Sequence, residues 1–267
     1  MTIATDFTLA ELIIAAAAET WRDDGELLAT GIGPLPRLAA GLAKLTFAEG
    51  MLLTDGEAMI VEQPTPLGPR GDFKPKYTGW MPYNRVFDSV WAGRRHAMVT
   101  PVQVDRWAQG NISALGPDFQ KPKVQMLGVR GFPGNSISHK NSMFLPNHSK
   151  RTFVEGEVDV VSSVGFRKET WPAGSPDDLV KIGLVVTNLC VFDFNGPDHA
   201  AQVLSLHPGV TFEQVQDNTG FPLLKAAGLK ETAAPTEEQL AIIRRLDPHD
   251  VRATVLKGNP PGIRAAA

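Results

Sequence analysis

The chain of 267 residues has a single cysteine, Cys190. A disulfide within the chain and a cysteine-based zinc site are therefore excluded, which suits a reducing compartment. Charge of one sign is not in excess, since 26 Lys and Arg face 29 Asp and Glu for a formal net charge of −3. No bulk attraction to nucleic acid or to an anionic membrane follows from that balance. Long apolar runs are missing too; none reaches the roughly 20 residues that cross a bilayer. The opening stretch MTIATDFTLAELIIAAAAETW has no Lys or Arg before its apolar section and is interrupted by Asp6 and Glu11, unlike a secretory leader. The expectation is a soluble, cytoplasmic protein. Several catalytic signatures are also absent: HExxH, HxH and other metal-ligand spacings, the GxSxG nucleophile elbow, and the Walker loop. No metal is expected. Cys190 lies in the apolar run VVTNLCVFDF and reads as a buried structural thiol rather than a nucleophile.

What is present is ordinary globular composition, 43% apolar and 21% charged, over a length that can bury a sizeable core. Thr8 and Glu11 have the spacing of a capping box, and Leu9, Leu12, Ile13, Ala16, Ala17 and Trp21 then share one helical face. ELLATGIG reads as a buried strand ending in a turn. PLPRLAAGLAKL reads as a helix with proline in its first turn, and GMLLTDG as a second strand. Strand, helix, strand is a βαβ unit and favours a parallel sheet with helices on its faces. From Val61 to about Arg95 the pattern loosens and Pro and Gly become frequent. Strand-like runs return at HAMVTPVQV, KVQMLGV, TFVEGEVDVVSSV and VKIGLVVTNLCVFDF. AQVLSLHPGVTFEQVQDNTGF reads as strand, Pro-Gly turn and short helix. A late helix in PTEEQLAIIRRLDP carries a second capping box, Thr236 with Gln239, and the end GNPPGIRAAA is expected to be poorly ordered. The chain has no repeat and no linker. The fold class is α/β, a single open, mostly parallel-sheet domain over residues 1–267.

Five stretches have the composition of a ligand site. TGIGP supplies the first two glycines of a dinucleotide fingerprint, Gly31 and Gly33, but Pro36 stands where the third belongs. Such a turn still lets a ligand approach the backbone and offers N–H groups to negative charge, or is only a tight strand-to-helix turn. QVDRWAQGN holds Asp105, Arg106 and Asn111, a site fragment or a solvated ion pair and a turn asparagine. VRGFPGNSISH gathers Arg130, Gly131, Gly134, Asn135, Ser136 and His139 within ten residues after a strand, where open α/β sheets place ligands, although a plain surface loop has the same look. MLLTDGEAM sets Asp55 and Glu57 around Gly56, and HSKR, His148 to Arg151, could meet a phosphate or form a solvated turn.

Taken in order, LLATGIGPLPRLAAGLAKL, VQVDRWAQGNIS, RGFPGN and VVTNLCVFDF with LHPGVTFEQVQDNTGF resemble the β subunit of class I coenzyme A transferases of the glutaconate type, over roughly residues 8–250. That resemblance implies a nucleophilic glutamate at the end of the strand after the glycine-rich turn, forming an acyl anhydride and then a glutamyl-CoA thioester. Aligned by strand length, Asp55 falls at that position; aligned on Gly56, Thr54 does. Neither is a glutamate, and aspartate is one methylene shorter. With GWMP, GRRHAM and SMFLPNHSKRTFV, this departure is similar to a branch of the family that hydrolyses rather than transfers. Its members are β subunits of steroid-degrading hydrolases.

The branch implies a heterotetramer of two α and two β subunits, with a site at the α–β interface and a working glutamate from the α subunit. It implies a cyclohexenone-carboxyl-CoA as substrate, the last steroid-derived ring, with no cofactor because CoA enters as part of the thioester. Water adds to the ring ketone, the carbon–carbon bond breaks, and its electron pair spreads into the thioester as an enolate. Backbone N–H groups near Gly31 to Gly33, with Thr54, Gly131 and Gly134, are candidates for substrate and CoA binding. Arg130 and Asn135 are candidate donors, His139 is a candidate to orient a carboxylate or water, and Asp55 is a polar residue of the site wall or stands just behind it. Two other readings stand beside it: a true CoA transferase with Asp55 as nucleophile, and a non-catalytic scaffold for a catalytic α subunit. An interface built from GWMP and its apolar neighbours is expected to leave an exposed patch on the isolated chain.

Overall fold

A computed structural model describes residues 2–56 and 58–263, so Glu57 lies outside the described residues. Within the expected α/β fold the chain divides into two compact units. The first comprises Met1–Val99, His207–Gly209 and Thr232–Ala267, and the second Thr100–Leu206 and Val210–Glu231.

In the first unit helix α1 (Leu9–Ala18) begins at the expected capping box, with Thr8 N donating to Glu11 Oε2 at 2.9 Å and Glu11 N to Thr8 Oγ1 at 3.3 Å. Its apolar stripe is wide and almost the whole helix is buried. One 3₁₀ turn later Trp21 is fully buried against the ring of His96, 5.6 Å away, and His96 in turn bonds Asp24. Strand β1 (Leu28–Gly31) runs parallel to β5 (Arg95–Val99), with Gly31 opposite Met98. Helix α2 (Pro34–Thr46) leaves β1 through Gly33, at φ +108°. The next strand, β2 (Leu53–Asp55), is joined to β1 by the parallel bridge between Leu28 and Leu52 just ahead of it. It then pairs antiparallel with β3 (Met59–Val61), which pairs with β4 (Tyr77–Trp80). The βαβ order is present, but its second strand peels away into a small meander.

The stretch that reads as loose therefore holds β4 and a further helix, α3 (Tyr83–Trp91).

The second unit opens with two short pairs, β6 (Gln103–Val104) with β7 (Gly110–Asn111) and β8 (Ala114–Leu115) with β9 (Val124–Gln125). Helix α4 (Phe132–Ser138) precedes β10 (Lys140–Leu145). Then come β11 (Ile182–Thr187), β12 (Cys190–Asp193), β13 (Gln202–Leu206), α5 (Phe212–Asp217) and β14 (Leu224–Glu231). The five long strands lie in chain order, parallel at β10/β11 and β13/β14 and antiparallel between. With β1/β5, the long strands make an α/β fold with mixed, mostly parallel pairing.

VVTNLCVFDF is a hairpin rather than one strand. Thr187 Oγ1 accepts from Leu189 N and Cys190 N, both at 3.1 Å, and turns the chain. TFVEGEVDVVSSV is not a strand either. Val158 N donates to Asp105 Oδ2 at 3.3 Å and Asp159 N to Gln103 Oε1 at 3.0 Å, so side chains take the bonds a ladder would use.

The chain closes in the first unit with α6 (Glu237–Leu246), capped by Thr236 and Gln239 as expected. The end expected to be poorly ordered is packed up to Gly262: Leu9 N donates to Pro260 O and Gly262 N to Phe7 O, each at 2.8 Å. Residues 264–267 lie outside the described residues. No described helix is long and apolar enough to cross a membrane.

Candidate functional site

At the carboxyl end of β1, where open α/β sheets hold ligands, lies a cavity of about 210 Å³ lined by Thr30, Gly31, Arg37, Thr54, Gly56 and Thr65, among others. Gly31 is dictated by packing. A Cβ there would stand 2.3 Å from the Pro36 carbonyl carbon and oxygen and 2.5 Å from Arg37 N. The two prolines beside it change the donor inventory. Pro34 and Pro36 have no N–H, and Ile32 N donates to Met98 O at 3.0 Å. The cap and first turn of α2 are left with the amides of Gly33 and Leu35, fewer than the glycine turn alone suggests.

Asp55 and Thr54 are neighbours on a strand and point to opposite faces. Thr54 lines the cavity. Asp55 does not: its buried carboxylate meets Arg70 Nη2 at 2.5 Å through Oδ1 and the Tyr77 hydroxyl at 3.4 Å through Oδ2. The hydrogen bond and charge of Asp55 in turn raise the Arg70 pKa. A carboxylate held this way is a weaker and less mobile nucleophile than a free one.

The second unit carries the other sequence candidates. Arg130 is exposed and sits in left-handed backbone at φ +51°, and Gly131 opens α4. A Cβ on Gly134 would meet no heavy atom within 4 Å, so that glycine is not required by packing and leaves open space for a ligand. Asn135 N closes the helix turn on Gly131 O at 3.0 Å. His139 is buried, with Nδ1 donating to Lys140 O at 2.9 Å. Asn141 Nδ2 donates to the carbonyls of Asn135 at 3.0 Å and His139 at 2.8 Å. Ser136 Oγ donates to Pro133 O and accepts from Val164 N. His139 and Ser136 thus brace the base of the loop that presents Arg130 and Asn135.

Three candidates resolve to structure. Asp105 is buried and accepts from Trp107 N and Gln109 N, both at 3.0 Å, while burial pushes its carboxyl up to about 6. Asn111 bridges Gln103 and Ala114. His148 of HSKR is buried between the hydroxyls of Thr187 and Thr219, at 3.0 and 2.9 Å, and is no phosphate contact. The Cys190 thiol is fully buried and pushed up to about 12 by desolvation.

Sequence reasoning missed Arg37, Thr65, Arg70 and Tyr77. Arg37 had a signal, a cation among the apolar residues of PLPRLAAGLA. The other three come from the Pro- and Gly-rich stretch after Val61. That same stretch carries the exposed patch expected around GWMP. Trp80, Tyr83 and Trp91 are 67%, 70% and 71% exposed, and Tyr83, Phe87 and Trp91 form a row along α3 with ring centroids 6.3 and 5.9 Å apart. Side chains of this size are rarely left in water on a surface without a partner.

No family profile matches the chain. Among curated proteins it is 45% identical over 246 residues to the cholesterol ring-cleaving hydrolase IpdB subunit of Mycobacterium tuberculosis, covering 92% of this chain and 97% of that one. It is 33% identical over 249 residues to the B-type subunit of the 3-oxoadipate CoA-transferase of Pseudomonas knackmussii, covering 89% and 92%. Among solved structures, that of Rhodococcus jostii IpdAB superposes with a TM-score of 0.86 at 42% identity, covering 94% of this chain and 99% of the other. At these identities and coverages the chain belongs to the family of IpdB subunits of cholesterol ring-cleaving hydrolases, on the scaffold of the B-type subunits of CoA transferases.

Proposed function

We propose that this chain is the β-type subunit of a heteromeric hydrolase that opens the last steroid-derived ring of a cyclohexenone-carboxyl-CoA. The observation that carries the reading is the strand end that resembles the transferase nucleophile position: neither Thr54 nor Asp55 is a glutamate, and Asp55 is paired with Arg70 away from the cavity. Covalent acyl transfer through this chain has no free carboxylate at that point among the described residues. Hydrolytic ring opening needs none here: it needs a base for water, supplied in this reading by the α subunit, and fixed donors where enolate charge develops. Arg130 and Asn135 supply the donors, and His139 supports them from below. CoA arrives as part of the thioester, so no resident cofactor is invoked.

The test is turnover of the co-expressed complex in ¹⁸O-water, with and without acetate. Ring opening with ¹⁸O incorporation and no need for acetate is expected, and Asp55→Asn should keep activity within about tenfold, since the change removes a charge but no reacting atom. CoA appearing on acetate with no ring opening, or loss of all turnover in D55N, would return the chain to the transferases.

The aromatic surface of α3 and β4 supports a partner subunit. Expressed alone, the chain should aggregate or self-associate, and a Trp80→Ser, Trp91→Ser double variant should lose most assembly with the α subunit in size-exclusion chromatography. A well-behaved monomer of the unaltered chain would count against the heteromer.

A further inference from the structure

The cavity beside Thr54 has a feature that the reaction above does not use. Arg37, on the first turns of α2, lines it, and one of its five N–H groups donates to Thr65 O at 3.4 Å, which tethers the guanidinium to the opposite wall. That wall is brought close by Gly41, where a Cβ would meet Leu246 Cδ1 at 2.8 Å and Pro64 Cβ at 3.1 Å. Thr65 is 7% exposed, and its Oγ1 has no hydrogen-bond partner among the described residues. A buried hydroxyl left without a partner costs stability, so it is kept where something else bonds it. Charge points the same way. Arg37 feels the Asp55 carboxylate and the Arg70 guanidinium, and Asp55 is already paired with Arg70. Two guanidinium groups against one carboxylate leave one positive charge at the cavity among the described residues.

We infer that Arg37 and Thr65 form an anchoring subsite for a carboxylate carried by the acyl part of the substrate, separate from the thioester. This rests on the acyl-CoA reading of the same cavity. A planar guanidinium meets a carboxylate through two parallel N–H bonds, and the Thr65 hydroxyl adds a third donor at the side. A single surplus charge matches a monoanion better than a phosphate dianion. Arg37 is a positioning residue in this scheme: it fixes which way the ring lies and takes no part in bond making.

The experiment uses the assembled complex and two readouts. In the first, Arg37 is labelled with phenylglyoxal and quantified by peptide mass, with propionate or inorganic phosphate as probe. Propionate at millimolar concentration should slow Arg37 labelling at least fivefold, phosphate should do less, and Thr65→Val should weaken the protection. In the second, Arg37→Met should lower kcat/KM for ring opening about 30-fold, mostly through KM, and Arg37→Lys should recover part of it. No protection by propionate, or better protection by phosphate, overturns the carboxylate assignment, and unchanged protection in T65V overturns the part given to Thr65. If the complex opens the ring but R37M leaves KM unchanged, this inference fails while the hydrolase reading stands. If no ring is opened yet propionate protects Arg37, the hydrolase reading fails and the subsite stands.

Discussion

Alanine at position 11 should destabilise the first unit by about 3–5 kcal/mol, the range seen when one partner of a buried ion pair is removed. Glu11 is completely buried at the first turn of α1. Its Oε1 meets Arg244 Nε at 2.8 Å and Arg252 Nη2 at 3.1 Å, and Arg252 Nη1 reaches Asp247 Oδ2 at 3.0 Å. Arg244 is half-exposed and its share is screened by solvent; Arg252 is nearly buried, and without Glu11 it retains only the acids of its own turn. Burial by itself would raise the Glu11 pKa, but the Arg244 hydrogen bond, the Thr8 amide and the two guanidinium charges outweigh it and hold the carboxyl below its ordinary value. Because the folded value is depressed, the stabilisation is complete above the unfolded glutamate pKa and is lost as pH falls through the folded one. Urea titrations of the unaltered complex and of Glu11→Ala between pH 7 and pH 3 should therefore start far apart, begin to converge only below about pH 4, the free glutamate range, and go on converging as pH falls further. Curves that stay parallel to the lowest pH would show that the loss is one of packing rather than charge.

Gly31→Ala should cost the assembled complex at least a hundredfold in kcat, the scale of a displacement of about 1 Å in a reacting site. The atoms a new Cβ would strike are backbone, the carbonyl of Pro36 and the amide of Arg37, so no side chain can swing aside. The start of α2 has to move off β1, and it takes Arg37 and a wall of the cavity with it. Melting temperature and kcat should fall together in this variant. Gly134→Ala is the matching control, because its Cβ meets nothing within 4 Å. The fold of that variant should be unaffected, and any drop in its turnover reports a ligand that comes close to the loop.

Local rules carried a good part of the architecture. Thr8 with Glu11 and Thr236 with Gln239 mark helix starts because a capping box satisfies donors within four residues, and both are where the sequence puts them. Gly31, Gly33 and the prolines after them mark the strand-to-helix turn for the same local reason. Three kinds of feature were not legible. The helix with Tyr83, Phe87 and Trp91 was hidden because its apolar row faces outward and because the Pro and Gly around it read as loop. TFVEGEVDVVSSV looked like a strand because alternation cannot tell a ladder from a segment whose amides go to the side chains of Gln103 and Asp105. The pairing of Asp55 with Arg70, fifteen residues away, depends on a meander that no spacing rule encodes. The cavity wall followed the same division: Gly31 and Thr54, which line it, stand in stretches the sequence singles out, and Arg37 with Thr65 needed the fold to bring them together.

Cys190 has a practical consequence. Its thiol is sealed from solvent and pushed up to about 12, so almost none of it is thiolate near neutral pH, and maleimides should pass it by. The chain is in effect cysteine-free to a labelling reagent. A cysteine introduced at one exposed position, such as Trp91 on α3 or Leu127 ahead of the RGFPGN loop, would then carry the only fluorophore on this subunit. A dye at each place would follow the docking of the partner and the arrival of substrate as two separate optical signals.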